Sequence, residues 1–456
     1  MNRFRTVVSV VAIGIVAGFL LEPAVHGSNG GAKEFRDDSG VLRTFTTAGE
    51  IDLNNPFFQS IGTNGRTCNS CHKEENGWGI SLENIRDTFE RTDGLDPIFR
   101  TNDGSNAPNL DVSTLEARRA AYSMLLSRGV IRVGLPVPAN AEFQLLSVDD
   151  PYHFASASEL SLFRRPPPVA NLRFQATIMI DGRETFPGLT ILEDLAHQAN
   201  GATTGHAQSA RELTAQERQQ IVDFETSLFS AQVRDDDAGN LSAAGANGGP
   251  DPLLTEPFYI GINDPFPNGD PTGKPFDANA FTLFNAWAKF ASHHGGTAAA
   301  RGAVFRGQQL FNTHPIHLVG VKGVNDELGV NDFVGSCSTC HDTPNSGNHS
   351  KSGPVDLGLT TAARRLPDEP LYTFVNKTTG ETVQTTDPGK GLISGVWKHI
   401  GRMKAPSMRS LSARAPYFHN GSAATLLDVV NFYNTRFNIG FTEDEKRDLV
   451  AFLKSL

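Results

Sequence analysis

Two copies of one short motif contain all four cysteines of the chain, and they constrain its fold more than any other feature. The motif reads Cys-x-x-Cys-His and occurs at residues 68–72 and 337–341. Two thiols about one helical turn apart can add to the vinyl groups of a haem, and the adjacent histidine can bind the iron as its proximal ligand. Each motif therefore predicts one covalently attached haem c. The predicted attachment and iron-binding residues are Cys68, Cys71, His72, Cys337, Cys340 and His341.

Three other uses of the cysteines explain the sequence less completely. A pair of disulfides suits an exported protein, but it does not require a histidine after each cysteine pair. A zinc site would need Cys71 and Cys337 to converge from distant parts of the chain, and it leaves the histidines unexplained. A thioredoxin-like redox pair needs a strand followed by a helix, a context that is missing here. Haem attachment accounts for all of these residues.

The N-terminus has the layout of a secretory signal peptide. Arg3 and Arg5 precede an apolar run over residues 7–21, and small residues follow around Gly27. We interpret residues 1–27 as the signal peptide. An uncleaved membrane anchor is the alternative, but the run is shorter than the roughly 20 residues that a span requires. No other long apolar segment occurs in the sequence, so we expect no membrane span after cleavage and a periplasmic or secreted product.

The composition excludes one class of partner. The chain has 40 lysines and arginines against 50 aspartates and glutamates, a net charge of −10 at pH 7. Nucleic acid is not an expected partner, because its binding requires a basic surface. With 44 glycines, 26 prolines and 39% hydrophobic residues, we expect packed domains with long loops rather than disorder. The clearest shift in composition, over residues 235–275, predicts an inter-domain linker or a long surface excursion, and we assign residues 236–294 as a linker or insertion.

A second repeat, far from the cysteines, indicates a duplicated domain. Thr214 and Glu217 have the same spacing as Thr442 and Glu445, and each pair has the pattern of a capping box. Apolar residues follow each box at helical spacing and at identical offsets. We therefore predict two related amphipathic helices, each closing one half of the chain downstream of one motif.

These repeats predict the domain organisation. Apolar segments at residues 56–58 and 309–311 precede the two motifs and are expected to supply the opening helices. Strand signals are sparse. We therefore predict a mainly α fold of two tandem cytochrome c-like domains with long loops. The N-terminal domain covers residues 45–235 and the C-terminal domain covers residues 295–456.

Two further segments, together with the motifs, carry a family resemblance. Residues 180–183 read IDGR, and residues 415–422 read APYFHNGS. The chain resembles the bacterial dihaem cytochrome c peroxidase and MauG superfamily over about residues 45–235 and 295–456, with residues 110–160 as an extra insertion. The resemblance implies that the N-terminal haem reacts with peroxide and that the C-terminal haem passes or stores electrons.

The chain departs from this family around the N-terminal haem. Members commonly have a histidine shortly after the first motif, which blocks the iron until the enzyme is reduced. Here no histidine lies between His72 and His153, so the resemblance implies an open, five-coordinate iron as in MauG-like members. Ile180 stands where many members have a tryptophan between the haems. Trp78 and Trp397 are the remaining candidates for that role, with core packing as the alternative.

The glutamate that acts in the peroxidases is also missing. Beyond residues 198–201 (QANG) the sequence offers His206 and Gln208 instead of a carboxylate. Cleavage of a peroxide bond needs a group that takes a proton from one oxygen and returns it to the other. His206 can do this near neutral pH, whereas Gln208 can only orient a substrate by hydrogen bonds. We predict these two as the catalytic residues, with loop or surface positions as the alternative.

The last departures concern the bound metals. Peroxidases place a methionine ligand fourteen residues after the histidine of the Tyr-Phe-His segment, and that count reaches Tyr433 here. MauG-like proteins use tyrosine at this place, and a phenolate lowers the potential of the iron. Met403 and Met408 are rival ligands. The resemblance also implies calcium bound by Asn106 together with the carbonyls of residues 414 and 416.

The sequence thus predicts a dihaem c-type oxidoreductase that reduces hydrogen peroxide or uses it to oxidise a substrate. Its cofactors are two haem c groups, with calcium as a further candidate. Its partners are hydrogen peroxide or dioxygen, and a small redox protein or an organic substrate. One alternative is a dioxygen-using dihaem oxygenase similar to the rubber oxygenases. The other is a periplasmic electron carrier without catalytic activity.

Overall fold

The computed structural model describes residues 33–267 and 269–456. The predicted signal peptide, residues 1–27, lies outside the described residues and stays a prediction. In the part of the chain that the structure describes, no helix is both long enough and apolar enough to cross a membrane.

The helices begin where side chains cap the free N–H groups of the first turn. Thr114, Thr190 and Thr425 each accept such a hydrogen bond. The helices are α1 Leu82–Thr92, α2 Leu115–Ala121, α3 Ser123–Arg128, α4 Ile191–Gly205, α5 Ala215–Ser227, α6 Gly296–Thr313, α7 Asn325–Leu328, α8 Gly391–Ser394, α9 Leu426–Arg436 and α10 Glu443–Lys454.

The fold is mixed α and β, so the prediction of a mainly α protein was wrong. The structure is 33% helical with 17% strand. The strands form antiparallel sheets in the orders β1-β2-β6-β7, β11-β10-β4, β3-β5 and β8-β9. They are β1 Lys33–Asp37, β2 Gly40–Thr46, β3 Ile131–Leu135, β4 Phe143–Asp149, β5 Leu160–Arg164, β6 Leu228–Asp235, β7 Gly239–Asn240, β8 Ile316–Val319, β9 Asp332–Gly335, β10 Leu371–Asn376 and β11 Thr382–Thr385.

The strands escaped prediction because their buried faces are not consistently apolar. In β2 the buried face consists of Gly40, Leu42, Thr44 and Thr46, whereas Phe45 lies on the less buried face. Alternation of hydrophobic residues therefore does not mark the core side of this strand. β4 and β10 come from opposite halves of the chain, and such pairing depends on tertiary packing more than on local propensity.

The two predicted closing helices are confirmed. α5 and α10 each begin with a complete capping box, in which the threonine hydroxyl and the glutamate carboxylate satisfy each other's backbone N–H groups. The opening segment of the second half lies within α6. Residues 56–58 form only a single 3-10 turn, so the first half does not have the predicted opening helix.

Aromatic contacts show that the two halves position their motifs alike. In the first half the Phe57 ring lies 4.9 Å from that of Phe224 in α5, measured between centroids. In the second half the Phe311 ring lies 5.5 Å from that of Phe452 in α10. Phe57 and Phe311 also face the motif histidines, at 6.4 and 5.9 Å respectively. Because residues 224 and 452 hold the same place in the repeat, this is the arrangement that a duplicated domain predicts.

The segment predicted as a linker or insertion, residues 236–294, is packed against the second half. Phe281, Phe284 and Trp287 are buried in one cluster with Phe311 and Phe452. The composition shift therefore marks loop-rich but packed chain rather than an exposed connection.

A buried ion network joins the two halves. The Arg164 guanidinium donates to Asp181 at 2.5 Å and, through two nitrogens, to Asp387 at 2.7 and 2.8 Å. All three side chains are almost fully buried. Burial alone would raise the pKa of both carboxyl groups, but the charge of Arg164 outweighs it and lowers both pKa values. This network fixes the IDGR segment against the second half, beside the cavity around residues 68–72.

Candidate functional site

A large cavity surrounds the first motif. Its volume is about 1550 Å³, including the solvent at its mouth. Its walls are formed by the motif turn, residues 164–170, helices α4 and α5, and residues 404–407 of the second half. The lining brings together Cys68, Cys71, His72 and His206, which the sequence analysis had placed in one site from separate segments.

The first motif folds into a 3-10 turn that presents both thiols and the histidine to this cavity. Thr67 and the side chain of Ser70 cap the turn. Burial raises the pKa of Cys68 to about 12 and that of Cys71 to about 11, which keeps both as thiols. Nδ1 of His72 lies 3.2 Å from the carbonyl oxygen of Trp78, so the protonated nitrogen points there and Nε2 stays free. Burial lowers the pKa of His72 to about 4, which keeps the ring neutral.

The second motif repeats this geometry. Residues 337–339 form a 3-10 turn closed by the Ser336–Thr339 capping box. Nδ1 of His341 lies 2.5 Å from the carbonyl oxygen of Gly347, which again leaves Nε2 free. Burial lowers the pKa of His341 to about 4.

Both motifs fit haem c. Histidines that bind metals usually donate their other ring N–H to a carbonyl or carboxylate, as His72 and His341 both can. None of the four cysteines forms a disulfide. Within the described residues, no group of three or more histidine, cysteine, aspartate and glutamate side chains is arranged to hold a metal ion.

His206 is positioned by a buried carboxylate that the sequence analysis missed. It caps the end of α4, and its Nδ1 lies 2.5 Å from Oδ2 of Asp103. The other carboxylate oxygen of Asp103 pairs with the buried guanidinium of Arg66. Burial by itself would raise the pKa of Asp103, but the hydrogen bond from His206 and the charge of Arg66 outweigh it and lower that pKa. All three side chains line the cavity.

Gln208 is not brought to this site. It is exposed, has a positive φ of 55°, and is not among the residues that line the cavity. Its carbonyl oxygen accepts a hydrogen bond from the hydroxyl of Thr63. His153, the next histidine after the first motif, is also exposed and outside the cavity lining.

Tyr433 lies beside the second motif. It is on α9, stacks with Phe437 at 6.4 Å, and packs in a cluster that also contains Cys337. Burial raises its pKa, and the neighbouring thiols of Cys337 and Cys340 raise it further. Its hydroxyl is therefore protonated in the absence of a bound cation, and a nearby positive charge would favour the phenolate.

The two rival methionines also lie near the second motif, on other segments. Met408 packs against Gly347, the residue whose carbonyl oxygen accepts from Nδ1 of His341. Met403 pairs through its backbone with Val355, which belongs to the cluster that contains Tyr433.

Two of the three residues predicted to bind calcium, Asn106 and Arg414, already have protein partners. The Asn106 side chain donates to the Ser123 hydroxyl at 2.7 Å and accepts from the backbone N–H of Met124 at 3.1 Å. The carbonyl oxygen of Arg414 accepts from the guanidinium of Arg165 at 2.9 Å. Calcium binding by these residues stays a prediction without support from the geometry.

Trp78 and Trp397, the two candidates for the position between the haems, lie in different surroundings. Trp78 is buried, and its indole donates to the Thr44 hydroxyl at 3.1 Å while its carbonyl faces His72. The indole of Trp397 lies 3.2 Å from a Glu381 oxygen, outside the cavity. Ile180, in the place of the family's tryptophan, lines the cavity.

Two further cavity residues were not found from the sequence. Lys404, from the second half, donates to Gln175 at 3.0 Å and to the carbonyl oxygen of Thr177 at 2.8 Å, and burial lowers its pKa to about 8. Glu225 of α5 also lines the cavity. Neither residue belongs to a recognisable motif. Glu225 could nevertheless have been noticed, because it is a glutamate on the apolar face of a predicted helix.

Comparison with known proteins supports the family resemblance over part of the chain. Cytochrome-c peroxidase IdrP1 of Denitromonas iodatirespirans is 32% identical over 140 residues, which cover 26% of this chain and 36% of that protein. Cytochrome c551 peroxidase of Nitrosomonas europaea is 31% identical over 136 residues, covering 29% of this chain and 34% of that protein. The chain therefore spans about a third of the length of the curated relatives it matches. No family model matches the chain.

Among solved structures, a MauG-like protein associated with microbial copper homeostasis aligns with a TM-score of 0.38 at 16% identity. The alignment covers 88% of this chain and 86% of that protein. A TM-score this low does not bear on the fold. The sequence matches confirm the predicted resemblance to cytochrome c peroxidases over the matched part of the chain.

Proposed function

We propose that this chain is a peroxidase-type dihaem c oxidoreductase that reduces hydrogen peroxide, or uses it to oxidise a substrate, in the cavity around residues 68–72. The observation that carries the proposal is the His206–Asp103 pair, which lines the same cavity as His72. The partial similarity to cytochrome c peroxidases supports the same class of reaction.

Haem c bound at Cys68 and Cys71 would supply the redox-active iron for this chemistry. His72 would hold that iron through its free Nε2. His206 would take a proton from one peroxide oxygen at Nε2 and return it to the other oxygen as the bond breaks. Asp103, by accepting the Nδ1–H, fixes the tautomer that leaves this Nε2 available. The reduction of hydrogen peroxide to two water molecules uses two protons and two electrons.

The electrons would come from a small redox protein or from an organic substrate. His341 and Tyr433 are the proposed ligands of the second iron, on the basis of the free Nε2 and of the position of Tyr433 beside Cys337. Haem c at this motif would supply a second redox-active iron, and a tyrosinate ligand from Tyr433 would disfavour its ferrous form, so we expect slow turnover with a reduced cytochrome c. We propose that the site works in the periplasm, after removal of residues 1–27. The periplasm is also where haem c is attached in the usual bacterial systems.

The test compares peroxide turnover in the wild-type holoprotein with that of His206→Gln. Loss of a general acid–base group costs about 10²- to 10⁴-fold in rate, and we expect a loss of this size. His197→Gln is the matched control, because His197 is also a histidine of α4 paired with a carboxylate, Glu184, but is exposed. Unchanged turnover in His206→Gln, with both haems present, would refute the proposed role. Consumption of dioxygen by the reduced protein without peroxide would favour an oxygenase instead.

A further inference from the structure

Glu225 is a buried acid without a partner at the wall of the haem cavity. Its side chain is 4% exposed and lines the cavity together with Cys68. Its Oε2 atom is buried and has no hydrogen-bond partner among the described residues. An isolated carboxylate in such a place is costly, so burial favours the protonated form and raises the pKa of Glu225 to about 8.

Among residues 33–267 and 269–456, no cationic side chain pairs with this carboxyl group. The elements packed against α5 present uncharged side chains to this part of the cavity: Pro56, Leu172, Ala199, Ala202 and Thr203. Arg173, the charged residue of the turn at 172–174, lies over the rings of Phe174 and Phe229. The Cys68 thiol lines the same cavity, and its pKa is raised by burial and then by the charge of Glu225.

The charged groups elsewhere around the cavity are already engaged. Arg66 pairs with Asp103, Arg164 and Arg183 pair with Asp181, Arg165 binds carbonyl oxygens, and Lys404 binds Gln175 and Thr177. His206 donates to Asp103. None of these groups forms an ion pair with Glu225 within the described residues.

The repeat within the chain shows that packing does not require a carboxyl group at this position. Residue 225 of α5 corresponds to Leu453 of α10, which is 5% exposed and packs in the core of the second half. The neighbouring residues, Phe224 and Phe452, make equivalent contacts in the two halves. A glutamate thus replaces a buried leucine in the half whose iron is proposed to react with peroxide.

We propose that Glu225 binds a proton when the haem held by residues 68–72 is reduced, and releases it when that haem is oxidised. The inference rests on the proposed haem site. In reduction the ferric iron gains one electron from a one-electron donor, and the Glu225 carboxylate gains one proton from water. The charge of the buried site therefore stays constant. Ferric iron carries the greater positive charge, which favours the carboxylate at short range in a medium of low dielectric constant.

The test is a potentiometric titration of the holoprotein at several pH values on either side of neutrality. For one proton taken up per electron, the midpoint potential of the first haem should fall by about 59 mV per pH unit, the shift that a tenfold change in an equilibrium constant produces for one electron. Glu225→Gln should flatten this slope. Asp223→Asn, an exposed carboxylate two residues away on the same helix, should keep it.

Several outcomes would overturn the inference. One is a midpoint potential of the wild-type first haem that does not change with pH. Another is a pH dependence of this potential that stays unchanged in Glu225→Gln, which would assign the proton to the haem propionates or to His206. If Glu225→Gln does not retain haem, Glu225→Leu reproduces the packing of Leu453 and serves in its place.

Peroxide turnover in the same proteins separates the two proposals. A flat slope with normal turnover refutes only this inference, and a retained slope without turnover refutes only the proposed function.

Discussion

Nδ1 of His206 lies 2.5 Å from a carboxylate oxygen of Asp103, although the two residues are far apart in the sequence. Asp103 is buried and also pairs with Arg66, so the carboxylate is held from both sides. The imidazole is 38% exposed and faces the cavity of the first motif. A histidine oriented by a buried carboxylate, with its other nitrogen free, is equipped to move a proton.

Asp103→Asn should therefore reduce peroxide turnover, because an amide cannot stabilise a protonated His206. We expect a loss of at least about tenfold, up to the about 10²- to 10⁴-fold that loss of the general acid–base group itself costs. The measurement is the rate of peroxide consumption at constant haem content. Asp111→Asn, at an exposed aspartate, is the control. Full activity in Asp103→Asn would contradict a role for this pair.

Stability should decrease in acid through the buried aspartates. Asp103, Asp181 and Asp387 have pKa values below the ordinary value of 3.8, because their cationic partners outweigh burial. A carboxyl group with a lower pKa in the folded state stabilises that state at pH values above 3.8. This contribution is lost as the pH falls below 3.8 towards the folded-state pKa. Chemical denaturation at several acidic pH values measures it, and a free energy of unfolding that stays constant below pH 3.8 would contradict it.

Arg164→Met should weaken the contact between the two halves. Removing one member of a buried ion pair costs about 3–5 kcal/mol, because it leaves a buried charge without compensation. Arg36→Met is the control, since Arg36 pairs with Asp236 at the surface, where such a pair contributes about 0–1 kcal/mol. Thermal or denaturant unfolding of both variants measures the difference. Equal losses in the two would refute a structural role for the Arg164 network.

Tyr433→Phe should change the spectrum of the second haem and raise its potential, while the first haem keeps its own. The reason is that a phenolate stabilises ferric iron and phenylalanine offers no ligand atom. Met408→Leu should leave both haems unchanged, because Met408 packs against Gly347, whose carbonyl oxygen accepts from Nδ1 of His341, and Nε2 is the nitrogen left free for the iron. The opposite pattern, a change in Met408→Leu or in Met403→Leu but not in Tyr433→Phe, would assign a methionine to the second iron.

Local patterns in the sequence predicted the parts of the structure that depend on local spacing. The motifs of residues 68–72 and 337–341 form turns that free Nε2 of each histidine, and the capping boxes at Thr214 and Thr442 start the predicted helices. The sheets were missed because strands such as β2 bury threonines and pair with distant segments.

The site was predicted in part for the same reason. His206 could be proposed because the position of the family's missing glutamate drew attention to it. Asp103 could not, because its role depends on a tertiary contact with no local pattern. Glu225 could have been found, because alignment of the two repeats places this glutamate at the position that Leu453 occupies in the second repeat.

If each motif holds one haem c, a pyridine haemochrome assay of the exported protein should find two c-type haems per chain. Replacing both cysteines of one motif, Cys68 and Cys71 or Cys337 and Cys340, should remove one haem and leave the other. A protein without haem, or one that binds zinc through its thiols, would refute haem attachment at these motifs.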